Sequence, residues 1–166
     1  MTMGIIPAAG AGSRIQPLAF SKELLPVGAR LTDDEVRPRA VAEYLVERLI
    51  LGGADRLCFV VGPEKSDIMS YFGRNVAGVP ICYVVQTQPQ GLCDAIFSAS
   101  PFLIPDEAAL VGLPDTVWFP KDALRALPDG ALSFALFPVA RPELFDAVVV
   151  DAEGAVREIE VKRAHP

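Results

Sequence analysis

Apolar residues follow two rhythms along this chain. A short continuous run over residues 3–9 predicts a strand buried on both faces, 57–61 a second buried strand, and the runs over 80–86 and 108–112 two more strands. Between them apolar positions recur at helical spacing. Residues 39–52 place Val41, Tyr44, Leu45, Arg48 and Leu49 on one face before Gly52-Gly53 stops the pattern. Shorter helices are predicted over 64–71, 91–102 and 121–127. In the first of these, Ser66 and Asp67 read as polar, with Ile68, Met69 and Phe72 inward. Beyond residue 127 strands take over, at 132–139, 145–151 and 155–162. The last two flank Asp151-Ala152-Glu153-Gly154, a hairpin signal. Strand–helix alternation implies a largely parallel sheet with helices on both faces. The late strands are expected to join it as antiparallel additions.

The chain has 166 residues, which suits one domain spanning 1–166. Half the residues are hydrophobic, so a packed globule is expected rather than disorder. The net charge of −6 argues against a nucleic-acid partner, which calls for a basic face. It also means that an anionic substrate must be held by a few placed cations. Cys58, Cys82 and Cys93 lie in apolar stretches without metal-ligand spacing, so they read as reduced, buried and structural. No secretory leader and no membrane span is expected, and the localisation that follows is cytoplasmic. Self-association into a homo-oligomer is left open.

The loop after the first run carries the densest chemistry. Gly10 and Gly12 let the backbone approach a bulky anion, and successive N–H groups can form a nest for phosphate oxygens. Arg14 offers a bidentate fork and Lys22 a point charge. In a parallel sheet such a loop leaves the carboxyl end of a strand, where ligands bind. The third glycine of a dinucleotide fingerprint is missing, and no GxxxxGK[ST] occurs. The bland alternative is a glycine-rich turn without a ligand.

Gly10-Ala11-Gly12-Ser13-Arg14-Ile15-Gln16-Pro17, followed by Ser21-Lys22-Glu23-Leu24-Leu25-Pro26-Val27, resembles the signature of the sugar-nucleotide nucleotidyltransferases. The resemblance is greatest to the glucose-1-phosphate thymidylyltransferase and uridylyltransferase branch. The interval from Pro17 to Lys22 is two residues shorter than in that signature. A second segment, Gln86-Thr87-Gln88-Pro89-Gln90-Gly91-Leu92-Cys93-Asp94-Ala95, is similar to the family's base-reading stretch. A third, Gly112-Leu113-Pro114-Asp115, stands where the family has a Gly-Asp metal ligand, here with two residues inserted. A fourth, Glu160-Val161-Lys162-Arg163, falls where the family has Glu-Lys-Pro. Valine and arginine replace the glutamate and proline, which leaves the sugar open.

The resemblance implies a three-layer Rossmann-like nucleotidyltransferase fold with a mostly parallel mixed sheet. It implies that Ala9, Gly10, Gly12, Ser13, Gln86 and Gly91 bind the nucleotide, and that Lys162 binds the sugar phosphate. Arg14, Lys22 and Asp115 would be catalytic, with Mg²⁺ on Asp115. The implied reaction transfers a nucleoside monophosphate from UTP or dTTP to a sugar 1-phosphate and releases pyrophosphate. Two other readings stay open: a CTP-dependent enzyme for a non-sugar phosphate, and a non-catalytic nucleotide-binding module. The family pattern continues past Lys162 with a further metal-binding aspartate. A chain ending at Pro166 is expected of either a short or a truncated form. Several residues take bland readings. Asp115 and Gln86 could be turn and loop-capping residues, His165 is expected in solvent, and Asp33, Asp34 and Glu35 are expected to form a solvated turn. Trp118, Phe119, Phe134, Phe137 and Phe145 are expected in the core.

Overall fold

The structure is a computed structural model and describes residues 1–160, apart from 33, 89, 129, 131 and 142–144. Its chain forms two compact units, one from Met1 to Leu132 and a second from Ser133 onward.

In the first unit, β1 (Thr2–Ala8), β4 (Arg56–Val61), β6 (Val79–Val85) and β7 (Ala108–Val111) run parallel. The short β5 (Asn75–Val76) adds an antiparallel edge, giving the order β5-β6-β4-β1-β7. The expected mostly parallel mixed sheet is therefore present. Pro7 is tolerated in the interior strand β1 because β7 pairs only as far as Ile5, opposite Val111. Beyond that point β1 has one neighbour, so the missing N–H breaks no second ladder.

Side-chain alternation divides the core between two faces. Met3, Ile5, Cys58 and Val60 are fully buried against Ala95, in the middle of α3 (Leu92–Ser98), and Ala99, just beyond its end. The other face meets α1 (Val41–Leu51) and α2 (Ser66–Phe72). There a Cβ on Gly4 would lie 2.7 Å from Leu57 Cδ2 and 3.1 Å from Leu49 Cδ1. The Phe59 ring lies 4.9 Å from Phe72 and 5.8 Å from Tyr83. Arg48 is buried on α1, yet each guanidinium nitrogen has an acceptor: it donates to Tyr44 O and, twice, to Trp118 O.

Several expectations are corrected. Residues 26–40 form a hairpin, β2 (Pro26–Thr32) and β3 (Glu35–Ala40), so α1 starts two residues later than its pattern suggests. Asp34 takes the left-handed conformation its turn needs, φ 62°, and is exposed as expected, while Asp33 lies outside the described residues. Pro101 limits α3, and the rest of that pattern is a 3₁₀ turn, Ser100–Phe102. The helix expected over 121–127 is likewise a 3₁₀ turn, Ala123–Ala126. Ser133 to Val139 forms no strand. In the second unit β8 (Ala147–Val150) and β9 (Val156–Glu160) pair with each other in a sheet of their own instead of extending the main one. Phe119, Phe134, Phe137 and Phe145 are exposed, contrary to the core reading. Cys58 is buried, but Cys93 is exposed, and all three thiols are free. Among the described residues no helix is long and apolar enough to cross a membrane.

Because Gly4 leaves no room for a side chain between β4 and α1, Gly4→Val should overpack that contact. The expected cost is about 1–3 kcal/mol, read as a lower urea midpoint at unchanged m-value.

Candidate active site at the carboxyl ends of the parallel strands

The order of the strands reverses at β1, with β4 and β6 on one side and β7 on the other. Crevices at such points hold ligands in open α/β sheets. The residues just past β6 and β7 stay in main-chain register with the neighbouring strands β4 and β1. Gln86 N donates to Val61 O at 2.9 Å, and Gly112 N donates to Ile5 O at 3.3 Å. The ends of β6 and β7 are three strand spacings apart, about 14 Å, with the glycine loop between them.

Ala9 is buried at the root of that loop and Gly10 is exposed beyond it. Gly12 takes φ 65°, which favours glycine, and a Cβ there would meet Lys22 Cδ at 3.1 Å. Ser13 and Arg14 follow on a 3₁₀ turn, Ser13–Ile15, both exposed. Among the described residues Arg14 has no ion-pair partner, so its guanidinium is available to a ligand. Lys22 opens a second 3₁₀ turn, Lys22–Leu24, and its Nζ reaches Asp115 Oδ2 at 2.7 Å. Gly12, Lys22 and Asp115 therefore meet.

Asp115 is held in turn from α1. A Cβ on Gly112 would fall 2.3 Å from Leu45 Cδ1, so the chain crosses the helix closely there. Three residues past Asp115, Trp118 O accepts from Arg48 Nε and Nη2, at 3.1 and 2.6 Å. Asp115 sits in a turn closed by Thr116 N to Leu113 O at 3.2 Å. Asp115 is thus a turn residue, as its bland reading has it, and its carboxylate faces Lys22.

Gln86 is buried just past β6, and its amide Nε2 donates to Asp94 on α3. A carboxylate only accepts, so Asp94 fixes which end of the amide is left for a ligand. Gly91, at φ 100° and with open space around it, starts α3. Lys162 lies outside the described residues, as do Val161, Arg163 and His165.

Four supporting residues escape a reading of the sequence. Lys65 is buried and donates to Ala8 O at 2.6 Å, Gly10 O at 2.7 Å and both oxygens of Glu23 at 2.9 and 3.0 Å. Glu23 is fully buried. Asp67 accepts from Ser21 N at 2.6 Å and Ser21 Oγ at 2.7 Å. Asp94 is the fourth. Glu23 leaves a trace in the sequence, as a charge set directly before Leu24-Leu25. Lys65 and Asp67 sit among polar neighbours that read as solvated.

The nucleotidyl transferase family profile matches residues 3–165. The chain belongs to the nucleotidyl transferase family. A glucose-1-phosphate thymidylyltransferase of Neisseria meningitidis is 29% identical over 98% of this chain and 56% of the relative. A UTP–glucose-1-phosphate uridylyltransferase of Haloferax volcanii is 30% identical over 65% of this chain and 42% of that protein. The chain thus spans about half the length of these curated relatives. Among solved structures, a Bacillus anthracis chain described as a glucose-1-phosphate thymidylyltransferase superposes with a TM-score of 0.76 at 23% identity, covering all of this chain and 66% of that one. A UDP-glucose pyrophosphorylase superposes at 0.59, with 24% identity over 75% of this chain and 51% of its own. Both structures share the family fold.

The Ser21–Asp67 contact makes a pH-dependent contribution. Burial alone would raise the Asp67 carboxyl, but the hydrogen bonds from Ser21 and from backbone N–H groups outweigh it and hold the group below its ordinary value. A depressed carboxylate contributes stability above its unfolded value and loses it as pH falls through the folded one. The urea midpoint of the wild-type protein should therefore exceed that of Asp67→Asn at pH 6–7. The gap should close as pH drops below about 4.

Proposed function

We propose that this chain carries the catalytic core of a sugar-1-phosphate nucleotidyltransferase. It would transfer a nucleoside monophosphate from UTP or dTTP to a sugar 1-phosphate and release pyrophosphate. One observation carries the reading. Lys22 and Asp115, 93 residues apart in sequence, join at 2.7 Å against Gly12, where the parallel strands end. Relatives named for thymidylyl and uridylyl transfer to glucose 1-phosphate support it.

The chemistry needs no protein nucleophile, because a sugar-phosphate oxygen is already ionised at neutral pH. Catalysis is then positioning and charge neutralisation. The glycine-loop N–H groups and Arg14 would take the β- and γ-phosphates and steady the departing pyrophosphate. Lys22 would neutralise the α-phosphate as the attacking oxygen bonds to it and the bridging oxygen leaves. Gln86, its amide oriented by Asp94, would pair with the edge of the base beside Gly91. Lys162 would align the sugar phosphate.

Mg²⁺ suits the donors available. It usually takes one or two carboxylates and completes its shell with phosphate oxygens and water. Asp115 offers one half-exposed carboxylate, with Lys22 on Oδ2, and the described residues hold no cluster of three or more ligating side chains. When bound there, the ion would supply charge neutralisation across the phosphates. Lys22 must then give up or share its contact with Asp115 as the phosphates arrive.

A panel of UTP, dTTP and CTP crossed with sugar and non-sugar phosphates, scored by pyrophosphate release, tests the assignment. UTP or dTTP with a sugar 1-phosphate should turn over, and EDTA should abolish release until Mg²⁺ is restored. Arg14→Ala and Lys22→Ala should stay folded and lose about 10²–10³-fold in kcat. Preference for CTP with a non-sugar phosphate would transfer the assignment to that chemistry. Triphosphate binding without any release would make the domain a binding module.

A further inference from the structure

Lys22 has a fixed neighbour on each side. Ser21, before it, is held through both N and Oγ by Asp67 at 2.6 and 2.7 Å. Glu23, after it, is held through both carboxylate oxygens by Lys65 at 2.9 and 3.0 Å. The same Lys65 ammonium takes Ala8 O and Gly10 O, at the root of the loop bearing Gly12 and Arg14. Lys65 and Asp67 are two residues apart, at and just inside the start of α2. One short stretch of chain thus grips the glycine loop and both flanks of the lysine.

We propose that Lys65 and Asp67 are positioning residues for Lys22, acting through the segment from Gly10 to Leu25 and touching no substrate. The proposal rests on the nucleotidyl-transfer reading for its catalytic consequence. Three features argue for positioning over simple stabilisation. A buried ion pair is weak support for stability, since well-packed apolar side chains often do as well. An apolar pair, however, could not bind two loop carbonyls while fixing a glutamate. The Lys65 ammonium and the Asp67 carboxylate make six short contacts here, and all six end on, or at the root of, the two segments that would carry the phosphate ligands. Finally, the 3₁₀ turn of Lys22 is a single turn, Lys22–Leu24, too short to hold its own direction. Its orientation must come from its neighbours.

The consequence is a specific coupling. If Lys65 and Asp67 act through Lys22, their loss should matter only while Lys22 is present. Displacements of an ångström at a phosphate cation are enough to cost about 10²-fold.

The test uses the whole chain with UTP or dTTP, Mg²⁺ and a sugar 1-phosphate, and the variants Asp67→Asn, Lys65→Met and Lys22→Ala. Lys65→Met leaves Glu23 buried without its partner and can fail to fold. Asp67→Asn, which keeps shape and one acceptor, then decides alone. Asp67→Asn should lower kcat at least about 10-fold with little change in KM for the sugar phosphate, and in the Lys22→Ala background it should cost less than about twofold more. Hydrogen exchange should speed up for amides in residues 10–25 and stay unchanged in β4 and β6. Losses that multiply with those of Lys22→Ala, or unchanged exchange in residues 10–25, would overturn the proposal. If the wild-type chain turns over no substrate pair, the functional reading fails on its own. The exchange measurement still decides whether Asp67 and Lys65 fix the loop.

Discussion

A buried ammonium, that of Lys65, sets the geometry on which the candidate site depends. Its four acceptors belong to the glycine loop and to Glu23, segments that approach each other only because β1 and β4 are adjacent and parallel. In water those acceptors would be solvated and the loop free to rearrange. Inside the protein, an unmade bond to a buried carbonyl or carboxylate costs about 1–3 kcal/mol, more for a charge. That asymmetry makes one loop arrangement much better than its alternatives. A glycine-rich segment, which has the most conformational freedom to lose, needs such a constraint if it is to meet a phosphate chain already shaped.

The opposite wall of the crevice is fixed by a different device. Leu45 under Gly112 and Arg48 on Trp118 O make α1 the support for Asp115. Desolvation lowers the Arg48 pKa, yet the guanidinium keeps its charge, because arginine stays protonated even when buried. The site is thus held from two helices on the same face of the sheet: α2 sets the cation, and α1 sets the carboxylate. The Lys22–Asp115 contact is where the two supports meet. Both side chains are partly exposed, so the ion pair itself contributes little to stability. Its value is geometric, as a sign that the two supports aim at one point.

Much of this was legible in the sequence, for a physical reason. Strands buried on both faces must be continuously apolar, so β1 and β4 stand out, and β6 and β7, though more exposed, still carry short apolar runs. A glycine at φ 65° before a cation leaves a mark such as Gly12-Ser13-Arg14. Less legible was whatever depends on partners distant in sequence. Lys65 and Glu23 look like surface charges until the fold brings them together. The β2–β3 hairpin was hidden because exposed strands need no apolar run, and its Leu31 and Val36 face solvent. The strand expected from the run near Phe134 and Phe137 failed for the opposite reason. Apolar residues make a strand only where a partner ladder exists.

The same reasoning bears on the base. Gln86 alone is ambiguous, because its amide presents a donor and an acceptor in either order, suiting the imide edge of uracil or thymine in one orientation and the N3–N4 edge of cytosine in the other. Asp94 removes half of that freedom by demanding a donor. If Gln86 reads the base as proposed, base choice would be set by a side chain that need not touch the base. It would depend on the register between the end of β6 and the first turn of α3, which Gly91 and the burial of Ala95 against β1 and β4 hold in place. On the proposed reading, recognition at this end of the crevice would obey the same logic as at the phosphate end. The group that meets the ligand is chosen by the motif, and its direction is chosen by a partner the motif does not contain.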